Sequence, residues 1–194
     1  MIISVGREFG SGGHKAAEIL AQRFGLEFYD HNLLDKIAEE RELDAAELRR
    51  YDEGPRRHLF SRNVKGHVNS PEEHIAQIQF QYLRDKAARG ESFVIVGRCA
   101  ETVLREHEAL ISFFVVADRE YRIAQAMEIA GISREEADDL VASMDKKRKL
   151  YHNYHCERKW GDSRAYDICL SSSRFGLEAM VDIMEHCVRA KFGK

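Results

Sequence analysis

Met1-Ile2-Ile3-Ser4-Val5-Gly6-Arg7-Glu8-Phe9-Gly10-Ser11-Gly12-Gly13-His14-Lys15 is the stretch whose reading decides the fold. An apolar run, Ile2 to Val5, breaks into a glycine-rich turn. The turn opens straight into a helical pattern: Ala16, Ala17, Ile19, Leu20, Phe24. Strand, glycine loop and helix N-terminus, in that order, make a phosphate cradle, because free backbone N–H groups and the positive helix end point at one anion. The common glycine loop of this kind reads G-x-x-x-x-G-K-[ST]. With Gly12 on its second glycine, Arg7 stands on the first, Gly13 on the lysine and His14 on the hydroxyl position. What remains is Gly10-Ser11-Gly12-Gly13, able to turn tightly and expose N–H groups. Anion binding is the expectation. A dinucleotide fold is a second reading, since Asp30 falls where a ribose-binding acid belongs. Against it, G-x-G-x-x-G needs a third glycine where Lys15 stands.

Working outward, apolar strands alternate with helices. The pattern predicts strands at Ile2–Val5, Glu27–Tyr29, Phe93–Val96, Ile111–Ala117 and Tyr166–Ser171. Helices are expected at about 14–24, 31–40, 70–89, 100–106, 119–130, 134–144 and 176–190. Ser70-Pro71-Glu72-Glu73 is a helix start, with a serine cap, a proline at the first position and acids in the first turn. Ser133 with Glu136 three residues later is a capping box. Short strands without polar alternation are buried on both faces, so the sheet is mainly parallel with helices on either side. Residues 41–70 are charged and hold Gly54-Pro55 and Arg56-Arg57 without a clean period. They are read as part of a helical insertion over about 41–90 within a single domain.

Composition narrows the function. A length of 194 residues with a net charge of -3 gives no support to bulk nucleic-acid or membrane affinity. No apolar run approaches the roughly 18 residues of a membrane span. The chain opens on a strand rather than on a secretory leader pattern, so a cytoplasmic protein is expected. Cys99, Cys156, Cys169 and Cys187 are scattered, and free thiols are the expectation. His152, His155 and Cys156 have the spacing of a zinc half-site, but the sequence shows no matching second pair.

Two further features bear on chemistry. Val96-Gly97-Arg98 closes a buried strand, and an arginine at the carboxyl end of a central strand points into the crevice where α/β sheets bind ligands. Its guanidinium suits a phosphate. Between residues 145 and 164, seven Lys and Arg face three Asp and Glu. This cation cluster, from Asp145-Lys146-Lys147-Arg148-Lys149 to Arg164, reads as a hinged basic lid able to clamp phosphates. Arg119 and Arg122 follow the fourth main strand and add to it.

These residues carry a resemblance. The whole chain resembles the cytidylate kinase-like family, a branch of the P-loop nucleoside-monophosphate kinases. The matching points are Ile3 to Gly13, Phe28-Tyr29-Asp30, Val94 to Arg98, Phe113 to Arg122, Asp145-x-x-Arg148 and Tyr166-Asp167, in family order. The resemblance implies a three-layer, doubly wound parallel sheet of P-loop NTPase type with a helical insertion and a lid. It implies ATP as phosphate donor, with Mg²⁺, and a small-molecule nucleotide as partner. Gly10, Ser11, Gly12 and Gly13, with His14 and Lys15 behind them, would hold the ATP phosphates. Asp30 would shape the monophosphate site and Arg98 would contact the acceptor. Asp145 and Arg148 would touch nucleotide and phosphate, with Arg122 near the lid or ATP. The chain departs from the family pattern at the absent loop lysine, at His14, and at Cys99, where cytidylate kinases carry an aspartate. Arg7, Lys15 or the lid cations could supply the missing charge, and Ser11 could offer a hydroxyl to Mg²⁺.

The expected activity is therefore ATP-dependent phosphoryl transfer to a nucleoside monophosphate such as CMP. The competing expectation is a nucleotide-binding sensor or scaffold that kept the fold and lost turnover.

Overall fold

In the computed structural model, residues 1–50, 63–64, 67–68 and 71–193 are described. Five strands form one parallel sheet: β1 (Ile2–Arg7), β2 (Glu27–Tyr29), β5 (Phe93–Val96), β6 (Leu110–Val116) and β7 (Ile168–Ser171). Their spatial order is β2-β5-β1-β6-β7. The central strand β1 is paired on both sides, Ile2 to Val5 against Phe93 to Val96 and Ile2 to Arg7 against Leu110 to Val115. This order excludes the dinucleotide reading. A Rossmann sheet sets its second strand directly beside its first, whereas here β5 lies between them.

The sheet's period of two divides the core. Ile2, Phe93 and Ile95 face one side, where α2 (Leu33–Arg41), α4 (Pro71–Ala88) and α5 (Ala100–Val103) pack through Leu34, Ile37, Leu83 and Ala100. Ile3, Val5, Val94 and Val96 face the other, against α1 (Gly13–Phe24) and α9 (Leu177–Phe192), which bring Ala16, Ala17, Leu20, Met184 and Val188. Burial on both faces is why these strands read as unbroken apolar runs. In the insertion, α3 (Ala45–Arg50) packs on α2, and β3 (Asn63–Val64) pairs antiparallel with β4 (His67–Val68). Gly54-Pro55 and Arg56-Arg57 lie outside the described residues.

Helix α6 (Arg119–Ala130) turns at Gly131 into α7 (Arg134–His155), and the two pack through Ile123, Ala126, Ala137 and Val141. The Ser133 capping box forms as expected, the Ser133 side chain accepting from Glu136 N–H and the Glu136 side chain from Ser133 N–H. The helix does not stop at Met144. It continues to 22 residues, about 33 Å at the usual rise. Its inward stripe runs Ala137, Val141, Asp145, Arg148, His152. It turns polar where it leaves α6 and meets the sheet's carboxyl edge, so the apolar period fades although the helix persists. The short α8 (Ser172–Phe175) after β7 is a further addition to the expected elements. No helix among the described residues is long and apolar enough to cross a membrane.

One ion cluster around a buried lysine ties the insertion side to the sheet. Lys86 on α4 is 5% exposed. Its Nζ lies 2.8 Å from Glu91, 3.2 Å from Glu27 and 3.6 Å from Glu40, over the rings of Tyr29 and Tyr82. The Tyr29 hydroxyl donates to Glu27 and holds its carboxyl below the usual range, against burial and with help from Lys86. Lys86 and Arg89 do the same for Glu91. Both acids are therefore depressed in the folded state. The stability they add is complete above their unfolded value of 4.5 and is lost as pH falls through the lower folded values. Lys86→Met should lower stability at neutral pH by about 1 kcal/mol, since its carboxylate partners are part-exposed. In urea titrations the deficit should shrink steadily as pH falls below 4.5. A pH-independent deficit would contradict this.

Candidate functional site

The carboxyl ends of β1, β2 and β5 open, together with α1, α6 and α7, onto one cavity of about 930 Å³. Arg7, the last residue of β1, lines it. Two glycines leave room for that side chain. A Cβ on Gly13 would stand 2.6 Å from Arg7 Cβ, and a Cβ on Gly97 would collide with Arg7 Nη1. The sequence thus places a large cation at the end of the central strand and removes side chains on both sides of it.

Arg98 comes from the turn after β5. Gly97, Arg98 and Cys99 follow one another in left-handed backbone, at φ 76°, 58° and 55°. For a non-glycine residue this costs roughly 1–2 kcal/mol, and such strain persists only where the surroundings hold it. Arg98 is 7% exposed and still lines the cavity. Arg148 reaches in from α7. Its Nη1 donates to the Arg7 carbonyl oxygen at 3.4 Å, and its guanidinium sits 5.4 Å from the Phe9 ring centroid. Three guanidinium groups therefore line one cavity beside the glycine loop. Arginine matches phosphate oxygens two at a time, and charge-assisted bonds of that kind are the strong ones.

The loop itself is held from behind. Phe9 N–H donates to Asp145 Oδ1 at 2.7 Å, and Arg122 pairs with the other oxygen of that carboxylate. Arg122 Nη1 also donates to Phe9 O at 3.4 Å, and its Nε lies 3.5 Å from Glu8. Glu8 in turn accepts from Ala117 N–H. Asp145 and Arg122, both expected at the nucleotide, form the back wall of the loop and do not line the cavity. Ser11 is also placed differently from its expected role toward Mg²⁺. It is fully buried, and its hydroxyl donates to Glu8 O at 2.9 Å, closing the turn from inside.

Gly10 and Gly12 are left-handed as a tight loop requires, and Gly12 caps α1. Lys15 lines the cavity, but its side chain is 58% exposed and bonds Glu18 one turn on. His14 Nε2 and His31 Nδ1 both lie 2.9 Å from Asp30 Oδ2, and Asp30 Oδ1 accepts from Asn32 N–H. Burial would raise the Asp30 pKa. The His14 and Asn32 hydrogen bonds and the two imidazoles outweigh it, and the carboxyl is held below its ordinary value. This trio lies on the cavity wall.

Apolar side chains also line the cavity, Tyr121 and Ile129 on α6, Met144 on α7, and Leu177, interleaved with Gln125, Glu128 and Lys147. Sequence reasoning assigned none of these apolar residues. Ile129 is 76% exposed, and nothing in the sequence marks it as a cavity residue. Glu8 and Phe9 carry no assigned role in the sequence reading either, whereas Lys147, part of the expected basic lid, does line the cavity. Phe9 joins the loop to the apolar contact between α6 and α7.

A parallel sheet in this order, with a glycine loop after its first strand and arginines around the loop, defines a P-loop kinase type of protein. The chain belongs to the Cytidylate kinase-like family, whose family model matches residues 2–174. Among solved structures it is similar to a protein from Eubacterium ventriosum, described as uncharacterized, at 35% identity and TM-score 0.78, covering 98% of this chain and 99% of that one. It shares its fold with shikimate kinase from Bacteroides thetaiotaomicron, at 13% identity and TM-score 0.57 over 97% and 98% of the two chains. Shikimate kinase from Acinetobacter baumannii, in complex with shikimate, aligns at 14% identity and TM-score 0.53 over 100% and 94%. Comparison with curated proteins gives no match. Family and fold together support a nucleotide-kinase-type phosphotransferase.

Removing the Asp145 carboxylate would leave Phe9 N–H and the Arg122 guanidinium without that acceptor. Asp145→Ala should cost about 2–3 kcal/mol and speed amide exchange at Phe9, read by thermal melting and hydrogen–deuterium exchange. Unchanged exchange at Phe9 would show that the loop is held by other contacts.

Proposed function

We propose that the protein transfers the γ-phosphoryl group of ATP to a nucleoside monophosphate of the CMP class. The observation that carries this reading is the convergence of Arg7, Arg98 and Arg148 on the cavity beside the glycine loop. A cavity lined by both arginines and apolar side chains suits a nucleotide, which has a charged end and a flat base. Its volume of about 930 Å³ lies at the upper end of ligand cavities. Phosphoryl transfer asks chiefly for alignment and charge neutralisation.

In this reading the N–H groups from Gly10 to His14 cradle the donor phosphates. Arg7 takes the role of the missing lysine, because it is braced by Gly13 and Gly97, whereas Lys15 is exposed and engaged with Glu18. Arg98 orients the acceptor phosphate from its strained turn. Arg148, on the cavity-facing stripe of α7, closes over the group in flight. The phosphate acceptor is already anionic at neutral pH, so no general base is required.

The residues fit Mg²⁺ in part. The Ser11 hydroxyl is turned inward and the Glu8 carboxylate is engaged by Ala117 N–H and Arg122, but Asp30 is a carboxylate residue on the cavity wall. Magnesium is commonly held by one or two carboxylates, waters and substrate phosphates. Asp30 is the side chain that would hold it, and the ion would supply charge neutralisation. The inward Ser11 equally favours the second reading, a nucleotide-binding sensor or scaffold without turnover.

A panel of nucleoside monophosphates with ATP and Mg²⁺, read as ADP release, separates the two readings. Turnover with at least one acceptor is expected. ATP binding without turnover on any acceptor would establish the sensor. For an active acceptor, Arg7→Gln and Arg148→Gln should each lower kcat by about 10²–10³-fold, while Lys15→Gln stays within about threefold, as expected for an exposed ion pair. A greater loss from Lys15→Gln than from Arg7→Gln would reverse the assignment.

A further inference from the structure

Behind Arg98 lies a second group of side chains that the phosphotransfer reading does not use. Cys99 and Glu101 come from the start of α5, His152 from the last turns of α7, and Cys156 from the residue that caps α7. All four are at least nine-tenths buried, at 3%, 3%, 5% and 7% exposure. His152 Nε2 lies 2.8 Å from Glu101 Oε1. Ligand atoms of Glu101, His152 and Cys156 all lie within 4.8 Å of one another. Cys99 packs against Cys156 in one buried cluster, outside that group of three. His152 Nδ1 is buried with no hydrogen-bond partner. A cavity of about 30 Å³ touches Cys99, Glu101 and His152 on one side and Arg7, Arg98 and Arg148 on the other, with room for one water.

We propose that Cys99, Cys156, His152 and Glu101 form a structural zinc site. The donor set is two sulfurs, one imidazole nitrogen and one carboxylate oxygen, and thiolate with imidazole selects zinc over magnesium or calcium. Four protein ligands make a closed, tetrahedral site. With the usual bond lengths its ligand atoms would stand roughly 3.3–3.8 Å apart, so Glu101, His152 and Cys156 need a contraction of under about 1.5 Å from their present outer limit, while Cys99, outside that group, must swing in from its packing against Cys156.

The pairing also completes what the sequence left half-built. His152 and Cys156 belong to the site, but His155 does not. Its ring packs on Phe80 and Tyr151, and its Nδ1 lies 3.8 Å from Glu73. The missing half is Cys99-x-Glu101, which lies 51 residues away from its partner along the chain and meets it only in the fold. Zinc here would clamp the end of α7 to the left-handed turn at Gly97 to Cys99. That clamp would fix Arg98, one residue before a ligand, and Arg148, one helical turn before another.

The test uses the full chain, reduced, freed of metal with a chelator and titrated with Co²⁺, then with Zn²⁺. It needs no nucleotide, and its result is independent of whether the protein is a kinase. We expect one tightly held Co²⁺ per chain with tetrahedral d–d bands and thiolate-to-cobalt charge transfer, displaced by one equivalent of Zn²⁺, and a raised Tm with zinc. Loss of an outer-shell partner already weakens metal sites about 10–100-fold. Cys99→Ser and Cys156→Ser should each weaken zinc at least tenfold and reduce the charge-transfer intensity. Cys169→Ser, on the exposed face of β7, should change neither. If Cys156→Ser does not fold, the wild-type cobalt spectrum and Cys99→Ser decide the matter. Cobalt lost on desalting, a spectrum without thiolate bands, or full-strength binding by Cys99→Ser would overturn the site. A Cys99–Cys156 disulfide forming readily in place of metal capture would overturn it as well.

Discussion

The carboxyl edge of the sheet is organised around the Arg7 side chain. It leaves the end of the most deeply paired strand and passes Gly13, where a methyl group would meet Arg7 Cβ, and Gly97, where one would push the guanidinium aside. The backbone turns on either side inherit that constraint. The glycine loop ends in Gly12-Gly13 where the usual pattern has a lysine, because Arg7 occupies the space. The turn after β5 is left-handed through Arg98 and Cys99 as it passes the same guanidinium. In place of a point charge rising from the first helix, this chain has a rigid fork arriving from the strand. Arginine and lysine differ in that respect: the planar guanidinium sets direction as well as charge.

Helix α7 sets the second constraint. One stripe of it serves three purposes along its length. Ala137 and Val141 pack on α6; Asp145 ties down Phe9 and Arg122; Arg148 faces the cavity. His152 then meets Glu101. A shift of α7 along its axis would disturb the loop, the cavity and the Glu101 contact together. The residues expected at the nucleotide therefore divide into two sets. Arg7, Arg98 and Arg148 line the space, while Asp145, Arg122 and Ser11 shape the loop that borders it.

Much of this was legible in the sequence, for identifiable reasons. Strands such as Phe93–Val96 are buried on both faces and announce themselves as apolar runs. The Ser133–Glu136 box marks a helix start without tertiary help. The glycine loop and Arg98 were visible because strand ends and glycines have fixed meanings in α/β folds. What escaped depends on contacts between distant segments. The end of α7 was lost because its inward face turns polar where it meets charged neighbours. Ser11 looked available because nothing local tells which way a loop hydroxyl points; the Glu8 carbonyl decides it. Cys99 and Glu101 gave no signal of their own beside His152 and Cys156, since only the fold brings α5 against α7. Similarly, Lys15 and Arg7 are equivalent cations in the sequence and become different once the packing of Gly13 and Gly97 is known.

The direct test is a crystal structure with a non-hydrolysable ATP analogue. The β- and γ-phosphates should lie over the loop from Gly10 to His14, with the Arg7 guanidinium within hydrogen-bond reach of about 3 Å and Lys15 still directed to Glu18. Phosphates held by Lys15, with Arg7 left against Gly97 and out of reach, would contradict the assignment of Arg7 as the cation of the cradle.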